Sequence, residues 1–363
     1  MITTAADLKS LMKRALQTDA VALDTEFIWE RTYFPKLGLV QLALSNEECF
    51  LIDPCAIDDL SSLGALLADK GVVKIFHDAP QDLTILRAAT GRDPQNIFDT
   101  RLAAGFGGLS STLSLGDLIE FLLDIKLAKN ETRTDWLKRP LSSKQIEYAK
   151  DDVRYLRAIR ILLQARVLPT TLPWMEAELA RLNSPDNYTG IDDSKRYTKI
   201  KGAGSLNPQS LAILADLASW REKEAREKNR PRGHIIKDTV LLTIAKEQLQ
   251  DADSILRCGE ISVKSVTSYG GKLIEIVNQG VDRPIEECPP SLRNVKLNKN
   301  EQAALTRLQD YITLKSDVNG IDPILIGNKS ELKRCIRNTS PSTSRQRKGW
   351  RKEFLAEMKE IWQ

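Results

Sequence analysis

The run Val21-Ala22-Leu23-Asp24-Thr25-Glu26-Phe27 ends an apolar stretch with two carboxylates one residue apart. Alternate side chains of a strand share a face, so Ala22, Asp24 and Glu26 point one way and Leu23, Thr25 and Phe27 the other. Like charges side by side on one face repel. The pair is therefore either solvated at a strand end or arranged around a hard cation that takes oxygen ligands. Alone, such a pair is ordinary surface charge, and the rest of the chain has to decide.

The chain's 363 residues suffice for two or three domains. Hydrophobic content of 42% and charged content of 28% are those of a soluble globular protein, and no apolar run reaches bilayer length. Thr4-Ala5-Ala6-Asp7 caps an amphipathic helix carrying Leu8, Leu11, Met12 and Leu16, which leads straight into the first strand and reads as part of the fold, not as a signal peptide. Five scattered cysteines (Cys49, Cys55, Cys258, Cys288, Cys335) argue for a reducing compartment, hence the cytoplasm, and against a disulfide frame or structural zinc. The two histidines, His77 and His234, have no spaced partners, so any metal is expected on carboxylates. No G-x-S-x-G elbow supports a serine hydrolase. No G-x-x-x-x-G-K-[ST] loop supports a helicase or a nucleotide cofactor, and Gly202-Ala203-Gly204 is too short a glycine signal. The net charge of +4 is uneven: residues 291–363 carry a net +7 and the remainder −3. That split suggests a carboxylate site towards one end and a polyanion-gripping surface towards the other.

Strand-like segments at Val21 to Phe27, Leu39 to Leu44 and Cys49 to Ile52 are joined by short turns, as antiparallel strands are. A helix over Asp59 to Asp69, a strand over Val72 to Phe76, a helix from about Asp78 and a short strand at Ile97-Phe98 alternate as parallel strands do. The expected fold is α/β, a mixed sheet flanked by helices, continuing through helices over Leu115 to Leu122, Ser142 to Val167 and Leu172 to Leu182. The expected domains are 1–170, a linker 171–205 whose Asn183 to Ser205 stretch is poor in large apolar residues, an all-helical module 206–288 with a break at Gly270-Gly271, and a second helical module 291–363 after Pro289-Pro290. A Ser/Thr/Arg loop is expected over 339–347.

Three signals join Asp24 and Glu26. Asp78 stands where an N-cap is wanted, with Gln81 three residues on, and Asp82 then lies one turn into the helix near its positive end. Compensation of the dipole explains Asp82 as well as function does. Ser142 with Gln145 opens a later helix on which Tyr148 and Asp152, spaced i, i+4, stack on one face, while Asp151 points elsewhere as a solvated charge. The third signal is order along the chain: D-x-E on a first strand, Asp on a middle helix, Y-x-x-x-D on a late one.

In this order the chain resembles the DEDD superfamily of 3′→5′ exonucleases, in its tyrosine-bearing branch. The likeness to the ribonuclease D family runs through Asp24-Thr25-Glu26-Phe27, Thr32-Tyr33-Phe34-Pro35, Leu39-Val40-Gln41-Leu42, Phe98-Asp99-Thr100, Thr134-Asp135-Trp136, Arg139-Pro140-Leu141 and Tyr148 with Asp152-Val153. The resemblance implies a ribonuclease H-like sheet and two divalent cations, Mg²⁺ or Mn²⁺, roughly 3.5–4 Å apart. It implies that Asp24 bridges both ions, that Glu26 and Asp152 complete the ion that activates water, and that Asp82 holds the other. Tyr148 then orients the water, since a phenol with a pKa near 10 is a poor base at neutral pH. The product is a nucleoside 5′-monophosphate released from an RNA 3′ end, tRNA precursors included, by a protein expected to be monomeric and free of the membrane. Phe27, Trp29, Tyr33, Phe34 and Trp136 are aromatics that could stack terminal bases. Core packing is the better reading for Phe27, and Trp29 and Trp136 are the fairer stacking candidates.

Leu206-Asn207-Pro208-Gln209 and the run Trp220-Arg221 to Pro231-Arg232-Gly233 resemble an HRDC domain, a small helical nucleic-acid-binding module. Arg221, Arg226, Arg230 and Arg232 offer phosphate contacts, although Glu222, Glu224 and Glu227 between them also fit solvated i, i+4 pairs. The last module is read as HRDC-like by its place. Its basic stretch, Arg345, Arg347, Lys348, Arg351 and Lys352, is the stronger electrostatic candidate for RNA. A DNA exonuclease and a catalytically dead RNA-binding protein are the rival readings.

Overall fold

Strand β1 (Ala20–Ile28) is the middle of a five-stranded sheet ordered β3-β2-β1-β4-β5. In this computed structural model, which describes residues 1–127, 134–188, 193–292, 297–337 and 344–361, Ala20 to Leu23 are at most 1% exposed. A central strand covered on both faces reads as a continuous apolar run and not as an alternation. Strands β2 (Lys36–Ala43) and β3 (Cys49–Ile52) pair antiparallel with Val40 opposite Ile52. Strands β4 (Val73–Phe76) and β5 (Ile97–Asp99) run parallel to β1. The sheet is mixed, as expected. Registered pairing of β1 with β4 ends at Ala22 opposite Ile75, so Asp24 and Glu26 lie past the last position paired with that strand.

Among the described residues, eight helices accompany the sheet: α1 (Ala5–Ala15), α2 (Ser61–Ala68), α3 (Pro80–Thr90), α4 (Thr100–Phe106), α5 (Leu115–Leu123), α6 (Ser143–Arg154), α7 (Leu156–Arg166) and α8 (Leu172–Ala180). Thr4 caps α1 by accepting from the Asp7 amide, and Leu8, Leu11, Met12 and Ala15 form its buried face. The single helix expected over Ser142 to Val167 is two, divided at Tyr155. Past the division Arg157 donates to the Ala20 carbonyl and to Asp19, tying α7 to the start of β1.

Compactness divides the chain into two units. One comprises Met1–Phe27, Leu37–Thr189 and Leu297–Gln363, the other Ile28–Lys36 and Gly190–Lys296. The second unit holds α9 (Pro208–Glu227), α10 (Arg232–Ile235), α11 (Asp238–Glu247), α12 (Ala252–Arg257) and α13 (Val263–Val281). Asn207 caps α9 through the Ser210 amide, as its sequence indicates. The break expected at Gly270-Gly271 is absent, for α13 runs through both. Two glycines weaken a helix by about 1 kcal/mol each, and the apolar face of Val266, Leu273, Ile276 and Val277 buried in the unit's core outweighs that.

The segment expected as an independent module over 291–363 belongs instead to the first unit from Leu297 onward. Its helices α14 (Lys299–Asn319), α15 (Lys329–Ile336) and α16 (Gly349–Phe354) and the turn at Leu325 contribute Leu305, Leu308, Ile312, Leu325, Trp350 and Phe354 to the same core as the sheet. Trp350 stacks on Trp174 at 5.5 Å between ring centres. Glu178 of α8 accepts from Arg351 at 2.6 and 3.0 Å and from Trp350 Nε1 at 3.0 Å. Asp322 accepts from the Ser111 amide and hydroxyl at 2.6 and 2.8 Å. Of the loop expected over 339–347, residues 339–343 lie outside the described residues.

Arg351 is 3% exposed, so its removal takes away the only buried cation on Glu178 among the described residues and leaves it Trp350 Nε1 and the more exposed Arg181. Arg351→Met should lower unfolding stability by about 3–5 kcal/mol, read from the midpoint of a denaturant titration. A loss below about 1 kcal/mol, the size of an exposed pair, would contradict this anchoring of the C-terminal segment.

Candidate active site

Asp24 and Glu26 leave β1 on one face, and Asp152 reaches them from α6. Ligand oxygens of these three all lie within 4.8 Å of one another. Helix α6 is set by a reciprocal capping box: the Ser142 hydroxyl accepts from the Gln145 amide at 3.2 Å, and Gln145 Oε1 accepts from the Ser142 amide at 2.9 Å. Tyr148 and Asp152 share one face of that helix. Asp151 is not simply solvated, since it pairs with Arg154 at 2.6 Å.

Asp82, in the first turn of α3, is 7% exposed and stands outside the group of three. Thr25 Oγ1 donates to Asp82 Oδ1 at 2.5 Å, so the residue between the two strand carboxylates holds the fourth. Asp78 does not cap α3. It takes a left-handed φ of 67° and pairs with Arg101. The buried acceptor at this turn is Asp99 at the end of β5, 2% exposed, which caps α4 through the Arg101 amide at 2.8 Å and also accepts from the amides of Asp78 at 3.2 Å and Ala79 at 2.9 Å, just ahead of α3. One buried side chain thus caps α4 and braces the turn into α3, because the register sets Phe76 beside Asp99 where β4 ends.

The electrostatics are those of a crowded acidic pocket. Burial, and then Asp152, raise the Asp24 carboxyl well above the usual range. Burial followed by Asp24, Asp152 and Asp82 pushes Glu26 up to about 9. Burial, with the neighbouring Asp151 charge behind it, raises Asp152 to about 7, and Tyr148 offsets part of this. Asp82 is raised by burial and by Asp24, with the Thr25 hydroxyl opposing. Tyr148 is raised by burial and by Asp152, Glu26 and Asp24, so its phenol stays protonated. Oxygen-only ligands crowded in this way suit a hard divalent cation.

Trp136, read as a stacking candidate, is a core residue. It is 2% exposed in a cluster with Leu39, Leu51, Leu141 and Ala149, and its ring lies 6.1 Å from that of Tyr148. Flanking charges hid this, because the chain turns the largest apolar side chain of that stretch inwards. Arg139 secures the segment, donating to Asp53 at 2.6 and 2.7 Å and to the carbonyls of Gly38 and Trp136 at 2.6 and 2.8 Å. A Cβ on Gly38 would come within 2.7 Å of the Trp136 carbonyl. Thr25, Asp53, Asp99 and Arg139 are the contributors to which sequence alone assigned no role. Only Asp99 carried a local sign, an Asp ending an apolar pair.

The other expected nucleic-acid contacts separate by exposure. Trp29 is 57% exposed. Arg230 and Lys348 are exposed, and Arg347 is partly so. Arg221 is 5% exposed and gives its terminal nitrogens to the Ile236 carbonyl at 2.8 Å and Asp238 at 2.7 Å, so it is no surface phosphate ligand. Arg226 pairs with Asp193 at 2.7 Å, Arg232 with Glu222 at 2.6 Å and Arg345 with Glu331 at 3.0 Å. Arg351 is interior, as described above.

Residues 1–167 match a 3′-5′ exonuclease family and residues 210–277 match the HRDC domain. The chain is 48% identical over 365 residues to a ribonuclease D of Desulfotalea psychrophila, covering 99% of this chain and 97% of that one. It is 30% identical over 370 residues to a ribonuclease D of Escherichia coli, covering 98% and 96%. Among solved structures, Escherichia coli RNase D, described as an exoribonuclease involved in structured RNA processing, superposes with a TM-score of 0.87 at 29% identity, over 99% of this chain and 97% of that one.

Without metal, Glu26 at about 9 and Asp152 at about 7 sit above unfolded values near 4. The folded chain then holds more protons than the unfolded one across that window, and its stability falls as pH rises. In chelator the melting temperature should be lower at about pH 9 than at about pH 6, and Mn²⁺ should raise it more at the higher pH. A metal-free melting temperature that climbs over the same interval would refute the cluster's electrostatics.

Proposed function

The chain belongs to the ribonuclease D family, and we propose from that membership and its carboxylate cluster a metal-dependent 3′→5′ exoribonuclease that trims tRNA precursors and other structured RNA by a two-metal mechanism. The observation that carries the reading is the convergence of Asp24, Glu26 and Asp152 within 4.8 Å, with Asp82 held beside them by Thr25. Strand order 3-2-1-4-5 supports a ribonuclease H-like sheet as the scaffold.

Divalent cations bound to Asp24, Glu26, Asp82 and Asp152 would supply Lewis-acid neutralisation of the scissile phosphate and acidify the attacking water. Asp24, whose charge acts on Glu26, Asp82 and Tyr148, would be one of the residues that hold the cations. Tyr148 keeps its proton, so its task is to orient the water by hydrogen bonding and not to deprotonate it. Water gives up a proton to solvent as its oxygen bonds to the terminal phosphorus, the P–O3′ bond breaks, the departing O3′ takes a proton from solvent to leave a 3′-hydroxyl on the shortened chain, and a nucleoside 5′-monophosphate leaves. Buried Asp99, the α6 capping box and the Arg139–Asp53 pair hold the helix starts and the Tyr148 surroundings in place for this chemistry.

Asp24→Asn should cut turnover of end-labelled RNA by about 10³-fold, equivalent to about 4 kcal/mol of lost transition-state stabilisation. RNA affinity in chelator should change little, and the metal-free melting temperature should not fall, since the change removes one of the mutually repelling carboxylates. Wild-type turnover by the purified variant would overturn the assignment.

A further inference from the structure

The second unit contains a cavity of about 480 Å³ lined by Arg196, Lys199, Ile200, Arg221, Arg232, Gly233, Lys237 and Asp238. Five of these side chains are cationic and one is anionic. Arg196 and Lys199 precede the stretch that matches the HRDC domain, so the cavity is not confined to that module.

Two of the cations are mounted on a buried base. Glu222, 1% exposed, accepts from Arg196 Nε at 3.0 Å and from Arg232 Nε at 2.6 Å. One carboxylate thereby orients two guanidinium groups through their Nε atoms, and Asp193 also accepts from Arg196 Nε at 3.1 Å. Tyr33 also donates to Glu222, at 2.5 Å, which fixes the carboxylate's position. Lys199 and Lys237 are exposed, and Lys237 Nζ stands 3.8 Å from Glu260.

Two further observations call for an anion. Helix α11, ten residues long, starts at the cavity behind Lys237, and no side chain caps it, so amides of its first turn are available to an anion. Arg221 lines the cavity at 5% exposure. With its terminal nitrogens bonded to Ile236 and Asp238, its Nε is buried and has no hydrogen-bond partner among the described residues. A buried N–H donor without an acceptor calls for a partner. At Gly233 a Cβ would meet nothing within 4 Å, so the backbone there is open to a ligand.

We propose that this cavity is a phosphoryl-oxyanion site that grips the RNA backbone, built from Arg196, Lys199, Arg232, Lys237 and the start of α11 over buried Glu222. Fork-shaped guanidinium groups and helix amides match phosphate oxygens, and a sugar–phosphate unit fits the volume. The site rests on the exoribonuclease reading and deepens it by naming where substrate is held. The free 5′-monophosphate carries the same oxyanion and is the other source of it.

The test uses the full-length Lys199→Gln/Lys237→Gln variant, whose changed residues are both exposed, with its melting temperature checked against wild type. Binding of a labelled single-stranded RNA is measured in chelator across a salt series, and binding of AMP by calorimetry. Turnover is not needed, so a failed exonuclease reading would leave this result standing. The expected result is a fall in RNA affinity of about tenfold at about 0.1 M salt. The plot of log affinity against log salt should be shallower by about 0.7 for each phosphate that the variant no longer grips. Loss of AMP binding with RNA affinity unchanged would keep the oxyanion site and assign it to the product. Unchanged affinity for both ligands, with an unchanged salt slope, would overturn the proposal.

Discussion

Mutual repulsion among Asp24, Glu26, Asp82 and Asp152 is the condition that the first unit is organised to withstand. Burial and neighbouring charge raise all four carboxyls. A pocket of that kind opposes its own folding as the acids ionise, and it persists because the elements bearing them are fixed by bonds elsewhere. Asp24 and Glu26 ride on a strand whose root is buried on both faces. Asp82 lies in the first turn of a helix whose approach is braced by Asp99 at the Ala79 amide, and Thr25 restrains its carboxylate. Asp152 is placed by a capping box at the start of its own helix. Divalent cations reverse the balance, so the feature that weakens the metal-free protein is the one that suits it to phosphoryl chemistry.

Charge in this chain faces inwards more often than composition suggests. Arg139 bridges Asp53 and two backbone carbonyls beside the Trp136 segment. Arg351 neutralises Glu178 and ties the C-terminal helices to α8, and Arg221 is interior to the second unit. Part of the +7 of residues 291–363 is therefore structural, which is why net charge alone does not locate an RNA-binding surface. The cavity over Glu222 shows the alternative arrangement: a buried acid directs arginines towards solvent, where a phosphate can use them.

Several features were legible in the sequence because they depend on neighbours a few residues away. The strand carrying Asp24 and Glu26, the Ser142–Gln145 box, the i, i+4 pairing of Tyr148 with Asp152 and the Asn207 cap are of this kind. Strand periodicity, helical pitch and capping are local backbone physics, and a reader can apply them without knowing the fold. The mixed sheet followed from the lengths of the connections. Asp78 misled because the spacing of a cap was present while its backbone took a left-handed φ and its carboxylate turned to Arg101 from a distant helix.

Contacts between distant parts of the chain were beyond that reach. The inward turn of Trp136, the interior roles of Arg221 and Arg351, and the inclusion of residues 297–363 in the first unit all follow from them. So do the Thr25–Asp82 bond and the gathering of Asp24, Glu26 and Asp152 at one spot. Sequence by itself determined which acids exist, on which elements they sit and that a hard cation would suit them. Tertiary structure alone decided which charges face one another and which are sealed in the core, because that depends on segments far apart in the chain coming into register.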